Sequence, residues 1–412
     1  MIARSIVTSL LERIESGQLA VVERGRRRVY GSGCPQATVI VRSPSAWRAA
    51  ARGSKGLAEA YVAGLWDSPD LTAVFEVAAR NLRGIDELRR RLWPVRAPFQ
   101  RARALWVRNT PSRSRADIAA HYDLGNELFS LMLDETMMYS SAVFERRDMS
   151  LAEASRAKLE RLCRKLDLRA SDHVVEIGTG WGGFALHAAG TRGCRVTTTT
   201  ISREQREYAQ ARVREAGLEG LVTVLGDDYR ELRGVYDKLV SIEMIEAVGW
   251  KDFGTFFTRC AELLRPDGAM ALQAITIDDR LYEVEKASRT FIRTYVFPNG
   301  CLPSLEAIAH SVARRTDMRI VDLEDITPHY VETLRRWRAN FEAAGARLLE
   351  LGYDERFRRL WRLYLSFCEA GFAQRRISDV QIVLAKPRWR GQPAMAAQRP
   401  ATAALPVRLA AE

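Results

Sequence analysis

The sequence of 412 residues predicts an α/β fold, a mostly parallel sheet with inserted helices and a smaller N-terminal domain. Three observations carry this. Short β-branched runs alternate with helical periodicity from His173 to Ile277, as strand–helix–strand units of a parallel sheet do. A glycine-rich turn follows the first of those runs. The chain is also too long for one ordinary core and suggests two domains.

In chain order, Met1 to Gln18 carries Arg4, Glu12, Arg13 and Glu15 among apolar residues and reads as an amphipathic helix rather than a signal peptide. Residues 1–79 mix short periodic segments with turn signals at Gly31-Ser-Gly33, Arg52-Gly-Ser54 and Ser68-Pro69, and are read as the small domain. An arginine-rich linker follows over 80–113. From Arg80 to Arg115 there are 11 arginines against Asp86 and Glu87, interleaved with Trp93, Phe99 and Trp106. That composition suits an anionic membrane surface, with nucleic acid phosphates and a solvated connecting helix as alternatives. Pro94, Pro98 and Pro111 prevent one continuous helix there.

The α/β pattern occupies 114–386. Strands are expected at His173–Ile177, Arg195–Thr200, Leu221–Leu225, Lys238–Ile242 and Ala269–Ile277. Helices are expected at Phe184–Ala189, Arg203–Ala216 and Phe253–Leu264, the last stopped by Pro266-Asp-Gly268. Then the rhythm changes to long helices around Arg280–Tyr295, Tyr330–Leu351 and Glu355–Phe372, before a final apolar run, Val380–Leu384, closes the sheet. Helices inserted there are placed to cover a ligand crevice at the strand ends. The tail, 387–412, is rich in Ala, Pro, Gln and Arg and is expected to be disordered.

Composition narrows the classes. Apolar residues make up 47% and charged residues 28%, the balance of a globular protein with net charge +12. Six scattered cysteines form no C-x-x-C pair, which argues against zinc or a disulfide framework and fits a reducing cytosol. No run of 18 apolar residues suggests a transmembrane helix.

The chemistry begins at Val174-Val-Glu-Ile-Gly-Thr-Gly-Trp-Gly-Gly183. Gly178, Gly180 and Gly183 alone also satisfy a dinucleotide fingerprint. Two features tilt the loop, Gly182 included, towards S-adenosylmethionine. Glu176 precedes it, where a carboxylate can anchor the turn and attract a cationic ligand. The next strand ends in Thr197–Thr200, Ile201 and Ser202, without the ribose-binding acid a nicotinamide site wants. After the third strand, Asp228 and Tyr229 offer an acid and a ring for adenine.

Longer strings then coincide. They include His121-Tyr-Asp-Leu-Gly-Asn-Glu-Leu-Phe129, Leu133 to Phe144, Ile201-Ser-Arg-Glu-Gln205, Ser241-Ile-Glu-Met-Ile-Glu-Ala-Val-Gly249, Leu272-Gln-Ala-Ile-Thr276 and Tyr295 to Ser304. Together they resemble the cyclopropane-fatty-acyl-phospholipid synthase and mycolic acid cyclopropane synthase family over roughly residues 115–386. The resemblance implies a Rossmann-like class I S-adenosylmethionine-dependent methyltransferase acting on the double bond of an unsaturated phospholipid acyl chain. Loss of a proton from the added methyl closes a cyclopropane ring, the leading expectation. Loss from a neighbouring carbon leaves a methyl- or methylene-branched chain, the alternative, with a methyltransferase for another substrate behind both.

The resemblance also implies a bound bicarbonate as proton acceptor, held by Glu246, Tyr330 and the backbone of Ile275. Ser141 and Gln273 stand where the family usually has Cys and His, and neither titrates near neutrality. For the cofactor it points to Tyr139, Ser140, Gly178, Gly180, Thr200, Ile201, Gln205, Asp228 and Tyr229, and to no metal. Phe291, Tyr295, Phe297, Trp337, Phe341, Tyr364 and Phe367 are candidates for an acyl tunnel. The expected partners are unsaturated phospholipid acyl chains, an anionic membrane met peripherally from the cytoplasm and a second copy in a homodimer, but not nucleic acid.

Overall fold

The computed structural model describes residues 2–91 and 124–391, apart from 287, 289 and 299. The rest of the arginine-rich stretch, with Trp93, Phe99 and Trp106, and also His121 and the tail from 392, lie outside the described residues.

The N-terminal part opens with helix α1 (Ile2–Leu11), shorter than expected, and Gly17, at φ 87°, begins the first strand. Strands β1 (Gly17–Glu23), β2 (Arg26–Ser32), β3 (Gln36–Val41) and β4 (Trp66–Asp67) form a sheet in the order β2-β1-β3-β4. Arg24 and Gly25 both have positive φ, the two-residue turn that matches hairpin twist, and they join β1 to β2. Helices α2 (Ser45–Ala50), α3 (Ser54–Val62), α4 (Leu71–Arg80) and α5 (Arg83–Arg91) complete this part. Its Trp47, Tyr61, Trp66 and Val77 share one apolar core with Phe129, Trp337, Trp361 and Phe372 from later in the chain.

The larger part follows with α6 (Asn126–Met132), α7 (Leu151–Lys165), β5 (His173–Ile177), α8 (Gly183–Arg192), β6 (Arg195–Thr199), α9 (Arg203–Glu215), β7 (Val222–Leu225), β8 (Tyr236–Ile242), α10 (Phe253–Leu263) and β9 (Leu264–Ile277). After it come α11 (Asp279–Glu285), α12 (Leu305–Arg315), β10 (Arg319–Asp325), α13 (Thr327–Ala343), α14 (Gly345–Glu350), α15 (Glu355–Ala373) and β11 (Ile377–Ala385). The sheet runs β10-β11-β9-β8-β5-β6-β7. Only β11 opposes its neighbours; the other pairs are parallel. Because β5 lies between β6 and β8, its connections diverge to opposite sides and open a crevice at the carboxyl ends.

Several expected boundaries move. The helix expected over Arg280–Tyr295 stops at Glu285 and resumes as a single π-helical turn, Ile292–Val296. The one expected over Tyr330–Leu351 starts earlier, with Pro328 in its first turn where no N–H is needed, and breaks at Ala344. The helix expected over Phe253–Leu264 ends at Leu263, and Pro266-Asp-Gly268 lies within β9, which follows it directly. Edge strand β10 was not expected, because its mostly exposed residues show no buried face. Among the described residues, no helix is long and apolar enough to cross a membrane.

Candidate active site

The glycine loop leaves β5 and enters α8 with Gly178, Gly180 and Gly182 at φ 103°, 51° and 88°. The Gly178 and Thr179 N–H groups donate to the Thr199 carbonyl at 3.1 and 3.0 Å, tying the loop to β6. Beneath it, Glu176 accepts from the Thr198 hydroxyl at 2.7 Å. Burial pushes the Glu176 carboxyl up to about 8, against the Thr198 hydrogen bond and the Lys158 charge. Glu176 is thus a buried anchor under the loop, tied to β6. On the next turn the Thr200 hydroxyl donates to Gln205 at 2.9 Å, and Ser202, just after Ile201, caps α9.

Asp228 is turned into its own loop, where Arg230 donates to both carboxylate oxygens at 2.7 Å. The Tyr229 ring lies edge-on to Phe256, with the Arg230 guanidinium 5.4 Å from its centre. Tyr139 packs its ring beside Trp337, at 5.2 Å, and Phe297, at 6.5 Å, and shares a 2.9 Å hydrogen bond with the Tyr364 hydroxyl. Bare backbone at Gly180, where an added Cβ would meet nothing, and these aromatic faces fit a nucleoside carrying a sulfonium.

Beside the loop lies a cluster the sequence did not disclose. Glu243 follows β8 with φ 48°, a left-handed conformation uncommon for glutamate. One of its oxygens accepts from the Ser141 N–H at 2.8 Å and from Gln273 Nε2 at 2.8 Å. The other accepts from the Tyr330 hydroxyl at 2.7 Å. Gln273 also donates to Asp379 at 3.0 Å, and its oxygen accepts from Gln381 at 3.1 Å. The antiparallel register of β9 and β11 sets Gln273 opposite Gln381 and so fixes this arrangement. Glu246, in the short 3-10 turn after β8, accepts from the Ile275 N–H at 2.6 Å. Its other oxygen is buried without a partner, as is Oδ1 of Asp379.

One cation serves these acids. Lys158 on α7 is fully buried and donates to the Ser140 hydroxyl at 2.7 Å. Burial pushes it down to about 8, while Glu243, Asp379, Asp134 and Glu176 hold it up. Burial and then Glu243 push Glu246 up to about 8. Asp379 is raised well above the carboxylate range by burial and by Glu243 and Glu246. Burial also raises Glu243, but Tyr330, Ser141, Lys158 and Gln273 oppose it. Three donors converge on Glu243 and one on Asp379, so in this coupled pair Asp379 holds the proton and Glu243 the charge.

Residues 109–382 match the model of the mycolic acid cyclopropane synthetase family. This chain belongs to that family. The tuberculostearic acid methyltransferase UfaA1 of Mycobacterium tuberculosis is 40% identical over 368 residues, 84% of each chain. The cyclopropane-fatty-acyl-phospholipid synthase of Escherichia coli is 36% identical over 359 residues, 86% of this chain and 89% of that one. The cyclopropane synthase MmaA2 of Mycobacterium tuberculosis matches in structure with TM-score 0.62 and 30% identity, over 66% of this chain and 98% of its own. Mycolic acid cyclopropane synthase CmaA1, in complex with SAH and CTAB, matches with TM-score 0.62 and 29% identity, again over 66% and 98%.

The protein is thus an S-adenosylmethionine-dependent methyltransferase of the mycolic acid cyclopropane synthetase family. Its fold brings Tyr139, Ser140, Ser141, Gln273, Ile275, Tyr330 and Glu246 into one region, around the unforeseen Glu243, Lys158 and Asp379. The donors expected for bicarbonate do not fit it: Ser141, Gln273 and Tyr330 are engaged by Glu243, and Ile275 by Glu246. Of the expected tunnel residues, Phe291, Trp337, Phe341 and Tyr364 are buried. Tyr295 is not a lining residue, because it is 45% exposed and its hydroxyl donates to Glu59. A signal for Lys158 was present: Leu151, Ala154, Leu159 and Leu162 mark the buried stripe of α7, and Lys158 falls on it.

Proposed function

We propose that the protein methylates the double bond of an unsaturated acyl chain in a phospholipid, giving a methyl- or methylene-branched chain. The observation that carries this is the buried carboxylate cluster beside the glycine loop, walled by Tyr139, Trp337, Tyr330 and Phe372. Methylating an alkene leaves a carbocation, which survives only where water is excluded and which must lose a proton. A buried, aromatic-walled site with an acceptor suits both needs. S-adenosylmethionine, when bound, supplies the methyl on a sulfonium and keeps the bonding pair on sulfur. The residues suited to holding it are Gly178, Gly180, Thr200, Gln205 and Tyr139.

The branched outcome is favoured because Gln273 removes the imidazole the family usually carries and because the relative at 40% identity is named a methyltransferase. Ring closure is the second reading, supported by the relative named a synthase at 36% identity. Peripheral contact with anionic phospholipid belongs to the same proposal. Within the arginine-rich stretch Arg80 bonds Gln374 and the Cys34 carbonyl, and Arg89 pairs with Glu285 and Asp86.

The test incubates the protein with methyl-trideuterated S-adenosylmethionine and vesicles of monounsaturated phospholipid, followed by mass spectrometry of the released fatty acids. A branched internal alkene keeps all the deuterium of the methyl. A ring, or a methylene branch formed after a 1,2-hydride shift moves the cation to the methylated carbon, loses one deuteron, and hydrogenation then separates those two. Cofactor binding without label in any lipid would sink the proposal.

A further inference from the structure

We propose that Glu243 is the proton acceptor of the reaction, a carboxylate built into the chain that occupies the place of a bound bicarbonate. This rests on the alkene-methylation reading above.

An anion needs donors, and those assigned to bicarbonate are already spent within the protein, most of them on carboxylates. The Ser141 N–H, the Gln273 amide and the Tyr330 hydroxyl converge on Glu243 at 2.7 to 2.8 Å, and the Ile275 N–H is taken by Glu246 at 2.6 Å. The Ser141 hydroxyl points elsewhere, to the Ala142 carbonyl. A free anion entering here would also meet a second negative charge in a buried region holding one lysine, Lys158.

The backbone carries a second, independent sign. Glu243 has φ 48°, a left-handed conformation that is unfavourable for an L-residue of this kind and that glycine adopts freely. That conformation aims the carboxylate back at Ser141, Gln273 and Tyr330. Strain held at one residue whose side chain meets three converging donors marks a functional constraint.

The step balances. The alkene π pair forms the new C–C bond as the S–C pair stays on sulfur, leaving a cation on the adjacent chain carbon. A Glu243 oxygen then takes a proton from a neighbouring C–H, and that C–H pair becomes the new C=C bond. The carboxyl proton returns to solvent after product leaves. Gln273, Tyr330 and Ser141 act as positioning residues.

The test compares wild type, Glu243→Gln and Glu243→Gly in the deuterated-methyl assay, in buffer purged of carbon dioxide and with bicarbonate restored. Wild type is expected to turn over equally in both. Glu243→Gln is expected to lose on the order of a hundredfold or more in either, the usual scale of a lost general base. Glu243→Gly relieves the backbone and vacates the cradle, so it should be slow in purged buffer and recover with bicarbonate. Carbon-13 bicarbonate followed by NMR should broaden with Glu243→Gly and not with wild type, whatever the turnover. Calorimetric binding of S-adenosylhomocysteine to all three shows that they are folded. Label in lipid only when bicarbonate is added to wild type, broadening with wild type, or full turnover by Glu243→Gln would each overturn the assignment to Glu243. A wild type that labels no lipid at all overturns the methylation reading itself.

Discussion

Gln381 donates its side-chain amide to the oxygen of Gln273 at 3.1 Å, directly across the antiparallel pair of β11 and β9. That bond decides which end of Gln273 faces the carboxylates. With the oxygen committed to Gln381, the NH2 group must point to Glu243 and Asp379. Without it, the amide can turn and set an oxygen against a charged one. Gln381→Leu should lower kcat about tenfold, matching a lost hydrogen bond of about 1.4 kcal/mol, with KM for S-adenosylmethionine unchanged. Steady-state kinetics check this, and an unaltered kcat would show that another contact orients Gln273.

Acid should loosen the edge of the large sheet. Burial would raise the Glu324 carboxyl, but the Arg161 hydrogen bond and the Lys165 charge outweigh it and hold it at about 2. These partners sit on α7, so the pair fastens β10 to that helix. A depressed folded pKa contributes stability above the unfolded value of about 4.3, lost as pH falls towards the folded one. Urea midpoints should therefore drop between about pH 5 and pH 2 in wild type and drop less in Glu324→Gln. Parallel pH curves for the two proteins would remove Glu324 as the cause.

Gly178 separates cofactor binding from backbone strain. A Cβ there would lie 3.1 Å from Met244, the neighbour of Glu243, at φ 103°. Gly217 is a control, with φ 65° but nothing within 4 Å of an added Cβ. Both alanine variants should lose roughly 1–2 kcal/mol of stability. Only Gly178→Ala should also weaken S-adenosylhomocysteine binding, by about tenfold or more, since it alone displaces the loop. Calorimetry on the pair tests this, and equal affinities would place the cofactor away from Gly178.

Strands β5 to β9 and the glycine loop were legible because each is a local pattern: β-branched runs and a turn needing positive φ. The resemblance carried Tyr139, Gln273, Glu246 and Tyr330 to one place, and the fold brings them there. Glu243 could not be told apart from Glu246, since no local rule says which of two acids three residues apart meets the converging donors. That depends on the left-handed backbone at 243, which the surrounding structure imposes. Asp379 and Gln381 sit over a hundred residues from Gln273 and meet it only through the register of the last strand. Register between distant strands is a global property, so neither could be read from its own surroundings.

Arg212 ties three segments together at one point, and its loss should show in binding as well as stability. From α9 its guanidinium donates at 3.1 Å to the carbonyls of Glu135, Thr136 and Trp181. It thereby clamps the segment leading to Tyr139 against the glycine loop. Three acceptors in a fan suit the planar fork of arginine, and a lysine ammonium on a shorter reach cannot satisfy them together. Arg212→Met should cost on the order of 1–3 kcal/mol by leaving carbonyls unpaired. Arg212→Lys should recover little of it. Both should raise the dissociation constant of S-adenosylhomocysteine, because the Tyr139 wall and the loop would no longer be held in register. Chemical denaturation and calorimetry on the two variants decide the matter: full rescue by lysine would mean that charge, not the fork, holds the clamp.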